Sequence, residues 1–171
     1  MQLESMYQEI ILDHYRHPLG RGLREPFDVE VHHVNPTCGD EITLRVKLSG
    51  NEIEDVSYEG MGCSISQASA SVLYELVDGK NITQALATGD DFRTLMQSKG
   101  DPTVAVKLED SLEDAVAFAG VSKYPSRIKC ALMSWMALKD ATAQALAAHE
   151  QLSSQIENNQ SSSPTAGKEN P

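Results

Sequence analysis

The sequence predicts an α+β fold, a three-stranded antiparallel sheet packed against helices, and three observations carry that prediction. Between Phe27 and Tyr58, apolar and polar residues alternate with a period of two, the mark of half-buried strands. On either side, apolar residues recur at i, i+3, i+4 and i+7, the mark of helices with one buried stripe. The strands form a meander with a single apolar face, and the helices are the elements available to cover it.

Residues 3–15 read as a helix, with Leu3, Met6, Tyr7, Ile10, Ile11 and His14 on one stripe. It should end near His17-Pro18, because the residue before a proline avoids helical geometry. Gly20 and Gly22 then mark a loop. Phe27, Val29 and Val31 alternate with Asp28, Glu30 and His32 in a first strand. Ile42, Leu44, Val46 and Leu48 alternate with Thr43, Arg45 and Lys47 in a second, and Ser49-Gly50-Asn51 is a hairpin turn. Ile53, Val56 and Tyr58 make a third strand whose alternation slips once, as at a β-bulge.

From Ser64 the period is helical, with Ile65, Ala68, Val72, Leu73 and Leu76 on one face and Asp78-Gly79 as a stop. Asn81 is placed to cap a helix over 82–97, with an interruption expected near Gly89. Asp101-Pro102 opens a further segment, in which Leu112 to Phe118 is the helix candidate. Pro125 suits a first helical turn, and a long helix to about Ala148 should turn Ile128, Leu132, Trp135, Leu138 and Leu146 inward. Residues 152–171 are rich in Ser, Asn and Gln and lack apolar periodicity. The expectation is one domain over 1–151 followed by a disordered tail over 152–171.

Composition narrows the function. The 171 residues carry a formal charge of −11. That excess opposes binding to nucleic acid, whose phosphates must be neutralised by Lys and Arg, and to an anionic membrane surface. A cationic patch on a protein partner suits it better. No run of about 18 apolar residues is present to span a bilayer. The acidic N-terminus, with Glu4, Glu9 and Asp13, does not resemble a signal peptide. The cysteine count is three. An odd number does not fit a secreted disulfide framework and points to a reducing, cytoplasmic setting.

The cysteines sit at element ends. Cys38 lies in the loop Asn35-Pro36-Thr37-Cys38-Gly39-Asp40 between two strands. Cys63 follows Gly60-Met61-Gly62, where the third strand hands over to a helix, and Cys130 is in the first turns of the last helix. A compact fold could gather them at one end of the sheet, with Asp40 as a fourth ligand. Three thiolates and a carboxylate suit tetrahedral zinc, and the same set could hold an iron–sulfur cluster. From spacing alone the thiols could equally be core residues, since free Cys is among the most buried types. Gly39 and Gly62 favour a centre, because glycine lets backbone approach closely. Thiolates at Cys63 and Cys130 would gain from nearby helix N-termini. His14, His17, His32 and His33 read as helix-end or strand-surface residues.

Cys38-Gly39-Asp40, the run from Gly60 to Ser66, and Arg127-Ile128-Lys129-Cys130-Ala131-Leu132 resemble the three cysteine motifs of the IscU/NifU-type cluster scaffold family. His14-Tyr15-Arg16-His17-Pro18 and the order of elements match as well, so the resemblance covers most of the chain before the tail. It implies the same α+β fold. Within the family the chain is most similar to the SufU branch. Lys129 stands where scaffold-type members carry a His, and the stretch between Cys63 and Cys130 is longer, with extra residues between Gly100 and Tyr124.

That resemblance implies a zinc site of Cys38, Asp40, Cys63 and Cys130. It also implies transfer of persulfide sulfur from a SufS-type, pyridoxal-phosphate cysteine desulfurase to Cys38, and onward to a downstream cluster-assembly scaffold. The alternative it leaves open is a scaffold holding iron or an iron–sulfur cluster. Arg127 and Lys129 would offset the two net negative charges of a zinc–trithiolate–carboxylate centre, and Arg127 would also contact the partner.

Overall fold

The computed structural model describes residues 2–162. Its elements follow the order α1 (Gln2–Arg16), β1 (Val29–Asn35), β2 (Asp40–Ser49), β3 (Glu52–Met61), α2 (Ser64–Val77), α3 (Ile82–Gln97), α4 (Pro102–Leu112), a 3-10 segment (Glu113–Lys123) and α5 (Pro125–Ser161). The three strands pair antiparallel in the order β1-β2-β3.

The predicted period of two sets the sheet. Along β2, residues from Asp40 to Leu48 alternate between buried and half-buried, so Asp40, Ile42, Leu44, Val46 and Leu48 share the inner face. The slip expected in β3 is real: Lys47 pairs with Asp55 but Leu48 with Ile53, which leaves Glu54 as the extra residue of a bulge. Helix α5 crosses β1 and β2 while α2 packs on β3, covering the apolar face. Leu44, Val46, Ile53 and Val56 are fully buried beneath them.

A second layer lies beyond α2. Phe92 stacks on Trp135 with centroids 4.7 Å apart and meets the edge of Phe118 at 5.7 Å. The indole Nε1 donates to Ser69 Oγ at 3.1 Å, and that hydroxyl donates to the Ala131 carbonyl at 2.6 Å. The polar atoms of this buried contact are therefore satisfied.

Helix α3 starts where Asn81 predicted, its side chain accepting from the Thr83 amide at 2.9 Å. It runs unbroken through Gly89, correcting the interruption expected there. Three further expectations need correction. The helix in the segment opened by Asp101 is earlier, over Pro102–Leu112. Leu112 to Phe118 instead falls mostly in the 3-10 segment. The reason is spacing: buried Leu112, Ala115, Phe118 and Val121 recur every three residues, which matches 3.0 residues per turn rather than 3.6.

The last correction concerns the tail. Helix α5 continues to Ser161, past the boundary expected at 152, although every residue from 150 to 162 is exposed. An established helix adds residues without a new nucleation cost, and Glu150, Gln151, Leu152, Gln155 and Glu157 are adequate helix formers. The remainder of the expected tail, 163–171, lies outside the described residues.

Candidate metal centre

Asp40 is the first residue of β2 and faces inward with Ile42 and Leu44, so the apolar face ends in a carboxylate that is 2% exposed. The hairpin loop before it is closed by the Gly39 amide donating to the Asn35 carbonyl at 2.9 Å. The Thr37 amide donates to Asn35 Oδ1 at 3.2 Å. Gly39 has φ +72, in the left-handed region glycine enters without steric cost. This turn holds Cys38 on the surface and returns the chain inward at Asp40.

Cys63 is the N-cap residue of α2, partly exposed, and its amide donates to Asp40 Oδ1 at 3.0 Å. The approach depends on Gly62, where a Cβ would stand 2.6 Å from both Asp40 Oδ1 and Ser66 Oγ. Cys130 comes from the second turn of α5 and is 2% exposed.

The four residues meet at one end of the sheet. Cys38 Sγ and Cys130 Sγ are 3.3 Å apart, and Cys63 Sγ lies 3.5 Å from Asp40 Oδ2. Ligand atoms of Cys38, Asp40 and Cys130 all fall within 4.8 Å of one another. Cys63 joins that group through Asp40.

The electrostatics depart from the sequence expectation at Cys130. Nearness to the N-terminus of α5 predicts that the helix dipole favours its thiolate. Instead burial pushes the Cys130 thiol well up, and hydrogen bonding to Asp40 and Cys38 adds to it. The dipole fades beyond the first turn, and Cys130 is past it. At Asp40, burial pushes the carboxyl up, but hydrogen bonds from Cys130, Cys38 and Cys63 outweigh it and hold it below the ordinary carboxylate range. Without a cation the site is thus a carboxylate wrapped in thiols. A divalent cation that displaces the thiol protons would find three sulfurs and an oxygen already assembled, a donor set that fits zinc.

Arg127 and Lys129 are exposed on the first turns of α5, and neither forms an ion pair among the described residues. Two further features, one beside the site and one away from it, are not apparent from the sequence patterns. Ser66 donates to the Cys63 carbonyl at 3.0 Å and lies 3.9 Å from its sulfur, buttressing the start of α2. Its place three residues after the N-cap was the available signal. His14, read as a helix-end residue, is in fact 5% exposed. Its partners Ser71, Glu75 and Asp114 are far away in sequence, and no local pattern announces them.

Fold and site define a class: a small α+β protein whose sheet gathers, at one end, three thiols and a carboxylate that could hold a cation. Comparison with known proteins agrees. The model of the NifU-like N terminal domain matches residues 6–131. The zinc-dependent sulfurtransferase SufU of Bacillus subtilis is 43% identical over 82% of this chain and 92% of its own. The scaffold protein IscU of Streptococcus pyogenes is 39% identical over 82% of this chain and 84% of its own. Among solved structures, FiSufU of Fervidobacterium islandicum, assigned as a cluster assembly scaffold for the SUF system, superposes with a TM-score of 0.70. It has 34% identity and covers 81% of this chain and 97% of its own. The chain therefore belongs to the NifU-like N-terminal domain family and is an iron–sulfur cluster assembly protein of the IscU/SufU type.

Proposed function

We propose that this protein is a zinc-bound sulfur acceptor in cluster assembly, with Cys38, Asp40, Cys63 and Cys130 holding the metal and Cys38 receiving sulfur. The observation that carries the reading is the unequal exposure of the cysteines. Cys38 stands on the surface in a glycine-bearing turn, while Cys130 is buried in a helix and Cys63 starts one. A thiol that must reach a partner's persulfide needs access, and one that holds a metal needs a fixed position.

Zinc, when bound, would keep the thiols deprotonated without adding redox chemistry. The chain's own residues do the rest. The Cys38 thiolate attacks the terminal sulfur of a persulfide on the partner desulfurase. The S–S bond of the donor breaks, the donor cysteine leaves as a thiolate, and Cys38 becomes a persulfide. No oxidant or reductant is consumed. Asp40, Cys63 and Cys130 remain as the fixed side of the site. Exposed Arg127 and Lys129 offer positive charge beside Cys130 for contact with the partner, a pyridoxal-phosphate cysteine desulfurase of the SufS type. A downstream cluster-assembly scaffold would take the sulfur next. This chemistry suits the cytoplasm, and no helix of the described residues is long and apolar enough to cross a membrane.

The 43% identity to a zinc-dependent sulfurtransferase supports this reading over a scaffold that builds the cluster itself, as does Lys129 in the position before Cys130. Mass spectrometry after incubation with a cysteine desulfurase and cysteine tests it. One added sulfur, about 32 Da by persulfide formation, is expected on Cys38 and absent from Cys38→Ala. Sulfur mapped to Cys63 or Cys130, or a brown cluster-bearing protein in place of a colourless zinc one, would overturn it.

A further inference from the structure

The second gathering of ligating groups lies away from the thiols, where α1, α2 and the 3-10 segment meet. His14 Nε2 is 3.3 Å from Asp114 Oδ2 and 3.5 Å from Glu75 Oε2. The three ligand atoms all lie within 4.8 Å of one another. His14 is 5% exposed, whereas the carboxylate side chains are 40% and 48% exposed, so the group opens to solvent on the carboxylate side only. Glu113 adds a further negative field there.

We propose that His14, Glu75 and Asp114 form a second divalent-cation site, of the nitrogen-and-carboxylate kind that takes zinc, separate from the thiol centre.

Three arguments support it. The first is spacing. A charge-assisted N–H···O bond is usually about 2.7–2.9 Å, shorter than either contact. Nitrogen and oxygen ligands at about 2.0–2.1 Å from a tetrahedral zinc stand roughly 3.3 Å from each other, close to the 3.3 and 3.5 Å from His14 Nε2 to its two carboxylates.

The second argument is the hydrogen bonding behind the imidazole. His14 Nδ1 is 2.8 Å from Ser71 Oγ, a fully buried hydroxyl. That oxygen already accepts from the Leu19 amide at 2.9 Å. The Leu19 carbonyl on the same stretch accepts from the Tyr58 O–H at 2.8 Å. A hydroxyl oxygen has a second lone pair, which Ser71 can offer to the His14 Nδ1–H. The Nε2 lone pair then faces the two carboxylates, and an acceptor behind Nδ1–H is the usual partner of a ligating histidine.

The third argument is charge. Glu75 and Asp114 converge on one imidazole with Glu113 near Glu75, and no Lys or Arg pairs with any of them among the described residues. A dication there would balance two carboxylates and tie together α1, α2 and the 3-10 segment.

The test uses the full-length protein loaded with one equivalent of zinc. Zinc chloride is titrated in by calorimetry, and bound metal is counted after gel filtration. A second equivalent is expected. Asp114→Asn and Glu75→Gln, both isosteric changes at partly exposed side chains, should each weaken its binding by at least about tenfold, with circular dichroism checking that each variant is folded. A double change on the exposed end of α5, Glu150→Gln with Glu157→Gln, should leave it unaltered. The readout is the difference between variants, so it stands whichever metal occupies the thiol centre. Uptake of a single zinc by the wild-type chain, or undiminished second-site uptake in either carboxylate variant, overturns the proposal. So does a nitrogen-15 NMR spectrum showing His14 Nε2 still protonated in excess zinc, which would make the imidazole a hydrogen-bond donor to the carboxylates and not a ligand.

Discussion

The β1–β2 turn and the two helix starts bring the same functional group to the same place by opposite means. The turn carries Cys38 on four loop residues closed by one backbone hydrogen bond, with its thiol exposed. The helix starts carry Cys63 and Cys130 on long elements that also cover the sheet, so the position of each sulfur is tied to core packing. The proposed function, in which the site holds a metal and frees one ligand, needs both kinds of support. The contrast predicts that its cysteines are not interchangeable.

The largest expected effect breaks the buried side. Cys130→Ala removes a sulfur whose neighbours are fixed, and Asp40 loses one of its hydrogen-bond donors. Metal binding contributes to stability by mass action, about 4 kcal/mol at a thousandfold excess over Kd. For a chain of this size each kcal/mol is about 2–4 °C in Tm, so loss of the metal should lower Tm by roughly 10 °C. Cys38→Ala should retain more of that stability while losing all sulfur acceptance. Differential scanning calorimetry with metal analysis checks both. Equal losses of Tm in the two variants would erase the distinction between turn and helix.

Asp40 sharpens the comparison because it belongs to both sides, following the turn in sequence and opening β2. In metal-free protein its folded-state pKa lies below the ordinary 3.8, since thiol and amide donors outweigh burial. Folding thus favours the carboxylate. That contribution is fully present above the ordinary value and is lost as pH falls through the lower folded value. Urea midpoints of the metal-free chain should fall between about pH 5 and pH 2, and Asp40→Asn should flatten part of that fall. The change should be smaller than the metal effect, because Asn keeps an acceptor for the Cys63 amide. An unchanged pH profile in Asp40→Asn would show that the carboxylate is not held by these donors.

The same contrast explains what is legible in the sequence. Period-two alternation from Ile42 to Leu48 marks the inner face of β2, and one further step back along the same period reaches Asp40, which does lie on that face. The motifs around Cys38, Cys63 and Cys130 are local, and the structure brings all three with Asp40 to one end of the sheet. What stays hidden depends on contacts distant in sequence. The burial of His14 is made by residues 57 and 100 positions away. The 3-10 segment is masked because Ala115, Val116, Ala117 and Phe118 look helical until the spacing of three is counted. The pKa of Cys130 runs against expectation for a related reason, since nearness to a helix start is local whereas its burial is tertiary.

The smallest expected effect lies farthest from the site. Helix α5 buries Leu138, Ala141, Thr142 and Ala145, but from Glu150 onward every described residue is exposed, including Leu152 and Ile156. The side-chain hydrogen bonds there, from Ser153 to His149 and from Ser154 to Glu150, stay within the helix and tie it to nothing else. Backbone propagation alone therefore sustains these turns, and removing them exposes no apolar surface. Deleting residues 152–171 should leave zinc content and sulfur acceptance at Cys38 unaltered and move stability by no more than about 0.5 kcal/mol, the usual range for surface changes. Thermal melts and metal analysis of the truncated chain are the measurement. A large fall in either quantity would mean that the end of the chain bears on the sheet or the thiols, giving the site a third means of support beside its turn and its helix starts.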